Sequence, residues 1–199
     1  MVTKGILLDL LKDIDPYLKE KVYLIAVGGT ALTLLDIKHS TLDMDFNLPR
    51  EKDSRAIRRL FTELGFEKIN ESKWISPNNL VIDLYDRDYI FCVQLIEDSI
   101  HNSKLIQEYR HIILKTLNLY DIIITKLARL ESKDIDDIIE IFKKCEIDPK
   151  KLFQRYRETM KISLVAHPKE NIMELLQLLE SKNIVKTNEL IEEIKKWNP

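Results

Sequence analysis

The stretch VGGTALTLLDIKHSTLDMDFNL, residues 27–48, constrains the chain more than any other. A mostly apolar strand ending at Val27 runs into the pair Gly28-Gly29, a short helical segment follows, and a second strand carries Asp43 and Asp45 one residue apart. Alternate side chains of a strand share a face, so Asp43 and Asp45 project together while Met44 and Phe46 point the other way. Two carboxylates on one exposed face repel each other unless a cation lies between them. Oxygen ligands of this kind suit Mg²⁺, which usually takes one or two carboxylates together with substrate phosphates. Glycines at a strand-to-helix turn let backbone N–H groups approach an anion, which the helix N-terminus favours. A phosphate cradle followed by a metal-binding carboxylate pair is equipment for metal-assisted phosphoryl or nucleotidyl transfer.

The whole chain is consistent with that chemistry in a soluble domain. Its 199 residues are enough for one large domain or two small ones, and 45% are apolar. A net charge of −2 excludes strong attraction of the whole protein to nucleic acid, though not a local basic patch. Cys92 and Cys145 lie far apart with no partner motif, so no disulfide framework or zinc knuckle is implied. There is no apolar run long enough for a bilayer and no signal-peptide pattern, which together point to a cytoplasmic protein.

Taken in order, residues 5–20 read as a helix ended or kinked by Pro16. Thr30 to Asp36 is a second helix, with the Thr30 hydroxyl placed to cap it or to touch a phosphate. Residues 51–65 form an amphipathic helix ending at Gly65. A hairpin follows, Lys73 to Ile75 and Leu80 to Tyr85, turning through SPNN. Within its second strand Asp83 interrupts an apolar run, which is costly unless a metal or a basic partner meets it. Residues 88–109 are ambiguous, with helix favoured near Val93 to Ile100, and His111 to Leu117 is a strand. From Leu119 onward the pattern is helical. The expected fold is α+β, a short mixed sheet with flanking helices over residues 1–118 and a helical domain over 119–199.

Each candidate residue also has a structural explanation. Lys126, inside IIITKLARL, either packs its stem and carries its amine to water or offers the ammonium to a triphosphate. Asp134, Asp136 and Asp137 fit the first turn of a helix, and the i, i+3 spacing puts Asp134 and Asp137 on one face. His39 precedes the D-x-D strand in an exposed loop, and His101, His111 and His167 have no ligand spacing. KKLFQRYR, residues 150–157, mixes basic and aromatic residues as a nucleic-acid patch would, and as an amphipathic helix also does.

VGGTALTLLDIKHSTLDMDF resembles the signature of the DNA polymerase β-like nucleotidyltransferase superfamily, in which a Gly-Gly or Gly-Ser turn precedes D-x-D. DIIITKLARLESKDIDDI, residues 121–138, is similar to the second signature of its minimal, AbiEii-like branch of prokaryotic toxin–antitoxin and abortive-infection systems. Lys126, Lys133, Asp134 and Asp137 stand at the matching positions, and Asp83 at that of the third carboxylate. The resemblance covers residues 20–145 or so and departs from the pattern in three places. Thr30 replaces the usual serine, the gap to Asp43 is long, and the arginine that many relatives carry before the D-x-D is absent. It implies transfer of an NMP from an NTP such as ATP to a hydroxyl of tRNA or of a protein, with release of pyrophosphate. Asp43, Asp45 and Asp83 would bind Mg²⁺ or Mn²⁺; Gly28, Gly29 and Thr30 would hold the phosphates. Lys126 would neutralise those phosphates, with Asp134 and Asp137 fixing it or the acceptor, and the helical domain would close one side of the cleft. A cognate toxin or antitoxin is the implied protein partner.

Two other classes fit less well. A nucleotidyltransferase-like binding module with little turnover would suit the missing arginine but not the intact carboxylate triad. A glycosyltransferase also uses D-x-D, but with more sheet before it.

Overall fold

The computed structural model describes residues 1–199, the side chain of Asn188 excepted. The strands are β1 (Val2–Thr3), β2 (Val22–Ala26), β3 (Ser40–Thr41), β4 (Met44–Leu48), β5 (Glu67–Lys68), β6 (Lys73–Ile75), β7 (Val81–Asp86), β8 (Tyr89–Ile90), β9 (Val93–Gln94), β10 (Lys104–Glu108) and β11 (Ile112–Thr116). The helices are α1 (Lys4–Ile14), α2 (Gly28–Leu34), α3 (Glu51–Glu63), α4 (Asp98–His101), α5 (Leu119–Leu127), α6 (Ser132–Lys144), α7 (Pro149–Met160), α8 (Pro168–Ser181) and α9 (Asn188–Lys196). The chain divides into two compact units, Met1–Ile90 with Glu97–Asn118, and Phe91–Ile96 with Leu119–Pro199. No helix is long and apolar enough to cross a membrane.

The first unit is built on a seven-stranded mixed sheet in the order β10-β11-β2-β4-β7-β6-β5. At its centre β2 pairs parallel with β11 and antiparallel with β4, and β4 pairs parallel with β7. One face is apolar throughout: Val22, Leu24 and Ala26 of β2, Met44, Phe46 and Leu48 of β4, Ile82 and Leu84 of β7, and Trp74 of β6 are all buried. Helix α3 contributes Phe61, whose ring stacks on Phe66 and meets Trp74 edge to face. Its end is fixed by Gly65 at φ +76°, where the Phe66 N–H reaches back to the Phe61 carbonyl. Pro16 ends α1 as the sequence suggests, in a single 3₁₀ turn over Asp15–Tyr17. The carboxylate of Asp15 then accepts from the N–H groups of His111 and Ile112 and so pins the start of β11.

Residues 88–109 fold differently from the helix expected near Val93 to Ile100. Val93–Gln94 is extended, α4 lasts only four residues, and β10 is a strand the pattern does not reveal. Four of the five β10 residues are exposed, so no apolar face marks it. A bulge at Ile106, between Leu105 and Gln107, breaks the ladder of this edge strand.

The second unit is helical. Helix α5 is buried from Asp121 to Leu127, which accounts for its nearly continuous apolar sequence. Phe153 and Tyr156 of α7 are fully buried and meet Trp197 edge to face. The basic–aromatic stretch 150–157 is therefore an amphipathic helix whose aromatic rings are core rather than a stacking surface for bases. Arg155 on the same helix spends its guanidinium on Asp121 in a two-pronged pair.

Candidate active site

The glycine turn and the D-x-D are held together by contacts that leave almost no freedom. Val27 donates to the Asp45 carbonyl, and Leu117 to that of Ala26, which fixes the end of β2 on both sides. Gly28 then adopts φ +54°, a left-handed conformation glycine takes without penalty, and begins α2 two residues earlier than the sequence indicates. A Cβ there would lie 3.1 Å from Asp45 Oδ2; one at Gly29 would lie 2.6 Å from Thr41 Oγ1. A side chain at Gly28 would be strained by the left-handed backbone and tight against Asp45, and one at Gly29 would force Thr41 of β3 to shift.

Thr30, expected to cap the helix or to touch a phosphate, spends its hydroxyl on the backbone of the D-x-D segment. It is fully buried; Oγ1 accepts from the Asp45 N–H at 2.8 Å and donates to the Asp43 carbonyl at 3.3 Å. The hydroxyl is a latch joining α2 to the start of β4. A buried hydroxyl of this kind must find partners, and here the partners are the backbone of the metal-ligand candidates. Upstream, β1 pairs with β3, so Val2 lies opposite Thr41 and the chain just before Asp43 is anchored as well.

Asp43 lies immediately before β4, Asp45 within it, and Asp83 on the neighbouring parallel strand directly beside Asp45. One carboxylate oxygen from each of the three falls within 4.8 Å of the others. Asp45 and Asp83 are each only 7% exposed. Burial pushes the Asp83 carboxyl above its ordinary value; Lys73 opposes the rise and the charge of Asp43 adds to it. Three oxygen donors gathered by two adjacent strands match a hard divalent cation. The residues present fit Mg²⁺ or Mn²⁺.

Two neighbours of the triad escape sequence reasoning. Lys73 faces Asp83 across the β6–β7 hairpin, with Nζ 3.5 Å from Oδ2. Asn47, two residues beyond Asp45, is fully buried and donates from Nδ2 to the carbonyl of Arg87 at 3.0 Å, tying the turn after β7 to β4. The hairpin register would have revealed Lys73 only if the turn geometry had fixed it beforehand. His39 is exposed in its loop, as expected.

In the helical unit Lys126 is 3% exposed, so its amine does not reach water as the snorkelling reading required. Nζ instead lies 2.7 Å from Asp137 Oδ2 and 3.1 Å from Asp134 Oδ1. Arg129 donates to both oxygens of Asp134 and lies over the Phe91 ring at 3.9 Å. Two cations and two anions form this cluster, and Asp134 is buried at its centre. Lys133, by contrast, is exposed and paired with Glu131.

The chain is similar to several solved structures. ANT(2″)-Ia in complex with adenylyl-2″-tobramycin aligns with a TM-score of 0.50 at 12% identity, over 70% of this chain and 88% of its own. A proposed nucleotidyltransferase (TM1012) from Thermotoga maritima gives 0.44 at 19% identity, over 67% of this chain and 91% of its own. A proposed nucleotidyltransferase from H. pylori gives 0.46 at 16% identity, over 96% of each chain. No curated protein matches the sequence significantly. The mixed sheet with its flanking helices is similar in fold to that of ANT(2″)-Ia. Residues 6–189 match the family described as "Nucleotidyltransferase of unknown function (DUF6036)", and the chain belongs to that family.

Proposed function

We propose that the protein is a divalent-metal-dependent nucleotidyltransferase that moves an NMP from an NTP to a hydroxyl of an RNA, with tRNA the first candidate, or of a protein. The observation that carries this reading is the convergence of Asp43, Asp45 and Asp83 beside a glycine turn packed against Asp45 and Thr41. A divalent ion bound there supplies charge that offsets the phosphates and lowers the pKa of a coordinated hydroxyl. Asp43, Asp45 and Asp83 would hold the cation, and the backbone at Gly28-Gly29-Thr30 would hold the phosphates. The acceptor oxygen attacks the α-phosphorus, the bond to the β-phosphate bridging oxygen breaks, and pyrophosphate leaves with its electron pair. Asp83, whose carboxyl burial pushes above its ordinary value, takes the hydroxyl proton. Thr30 acts by holding the Asp43–Asp45 backbone. In the helical unit Asp134 and Asp137 hold the buried ammonium of Lys126. A part in a toxin–antitoxin or abortive-infection pair, with a cognate protein partner, belongs to the same proposal and rests on the second signature.

The test is pyrophosphate release from each of the four NTPs with Mg²⁺ or Mn²⁺, with and without bulk tRNA. Asp43→Ala/Asp45→Ala should lower the rate by roughly 100-fold or more. Release that needs metal, tRNA and both aspartates establishes the reaction and the acceptor class together. Release with the protein alone points to a protein acceptor. NTP binding without release under any of these conditions favours the binding module instead.

A further inference from the structure

We infer that Lys73 is the resident counter-ion of the carboxylate triad, a cation that an entering divalent ion must displace from Asp83. The inference rests on reading the triad as a metal centre. Lys73 opens β6 directly opposite Asp83, and opposed residues of an antiparallel pair project from one face. The separation of 3.5 Å joins a side chain 10% exposed, that of Asp83, to one 40% exposed, that of Lys73. The backbone fixes this meeting. Asn70 Oδ1 accepts from the N–H groups of Ser72 and Lys73, and the Ser72 carbonyl accepts from Leu84, next to Asp83. The ammonium itself is not fixed: it is a point charge on a flexible stem that already reaches solvent.

A divalent ion on Asp83 would put a second positive charge against the carboxylate that Lys73 occupies. Either the ammonium withdraws along its exposed path or the ion binds more weakly. Metal occupancy on the Asp83 side is therefore set against an internal competitor, and loading the site frees a cation beside the carboxylate that this reading gives the acceptor proton. An ordinary cross-strand ion pair, valuable only for the hairpin, predicts the opposite sign: removing it leaves metal binding unchanged or weakens it through lost order.

The experiment is Mn²⁺ titration of the full, EDTA-stripped chain, with free Mn²⁺ read by electron paramagnetic resonance. Lys73→Met and Lys73→Gln should half-saturate at Mn²⁺ concentrations roughly two- to fivefold lower than wild type, as the loss of a half-exposed ion pair implies. Lys73→Arg, which keeps the charge, should stay near wild type. An unchanged or higher Mn²⁺ requirement in both neutral variants overturns the inference while leaving the metal centre intact. Asp43→Asn/Asp45→Asn should abolish binding in every background; Mn²⁺ binding that survives it overturns the metal reading itself and this inference with it.

Discussion

At Gly29 one methyl group is enough to disturb the site, since its carbon would lie 2.6 Å from the hydroxyl of Thr41, two residues before Asp43. Gly29→Ala should therefore cost about 1–3 kcal/mol of stability and lower turnover by roughly 100-fold, because the carboxylate strand has to shift. Adding Thr41→Ala removes the colliding oxygen and should restore part of both, read by urea unfolding and by pyrophosphate release. Asp83 makes a prediction about pH. Burial raises its carboxyl in the folded state, so the folded protein holds that proton more strongly than the unfolded chain. The resulting stability is present below the ordinary carboxylate value of 3.8 and is lost as pH rises through the raised one. In EDTA at pH 7, Asp83→Asn should melt above wild type, with the gap closing as pH falls toward the ordinary value. Mn²⁺ should narrow or reverse the gap at pH 7 by stabilising wild type alone. Asp43 and Asp45 were readable from their spacing, which is local, and Asp83 as a charge interrupting an apolar run. Lys73 and the latch formed by Thr30 were not, since their partners are chosen by hairpin register and by a turn packed against another strand.

At the scale of elements, the pair α5–α6 is held by charge as well as by apolar packing. Lys126, Asp134, Asp137 and Arg129 balance in charge, so deleting Lys126 leaves the carboxylates short of a cation in a largely buried cluster. Lys126→Met should cost about 3–5 kcal/mol, and Lys126→Met with Asp137→Asn should recover part of it, measured by urea unfolding. Element patterns also explain what the sequence could and could not reveal. Helices α3, α6 and α7 carry sharp apolar stripes, and the β6–β7 hairpin carries turn residues, Asn79 among them at φ +60°. Edge strand β10 has neither signal, being exposed on both faces. Extended Val93–Gln94 is fixed instead by Ser163, which lies far along the chain and whose hydroxyl accepts from the Gln94 N–H.

At the scale of the whole chain, the boundary near residue 118 is not a single cut. Residues 91–96 belong with the helical unit, where Phe91 lies under Arg129 and Gln94 meets Ser163. A fragment starting at residue 119 lacks both contacts and should show helical circular dichroism with a melt broader and lower than that of the full chain. The sheet has a parallel feature, because β2, which delivers the glycine turn, finds its parallel neighbour β11 only at Ile112–Thr116. Pairing so remote in sequence closes a long loop before it is rewarded, and folding dominated by such contacts is slow. During synthesis the turn, the D-x-D and the third carboxylate all leave the ribosome before the strand that locks them. A nascent chain therefore carries every candidate ligand yet no finished site, and activity has to arrive late and all at once.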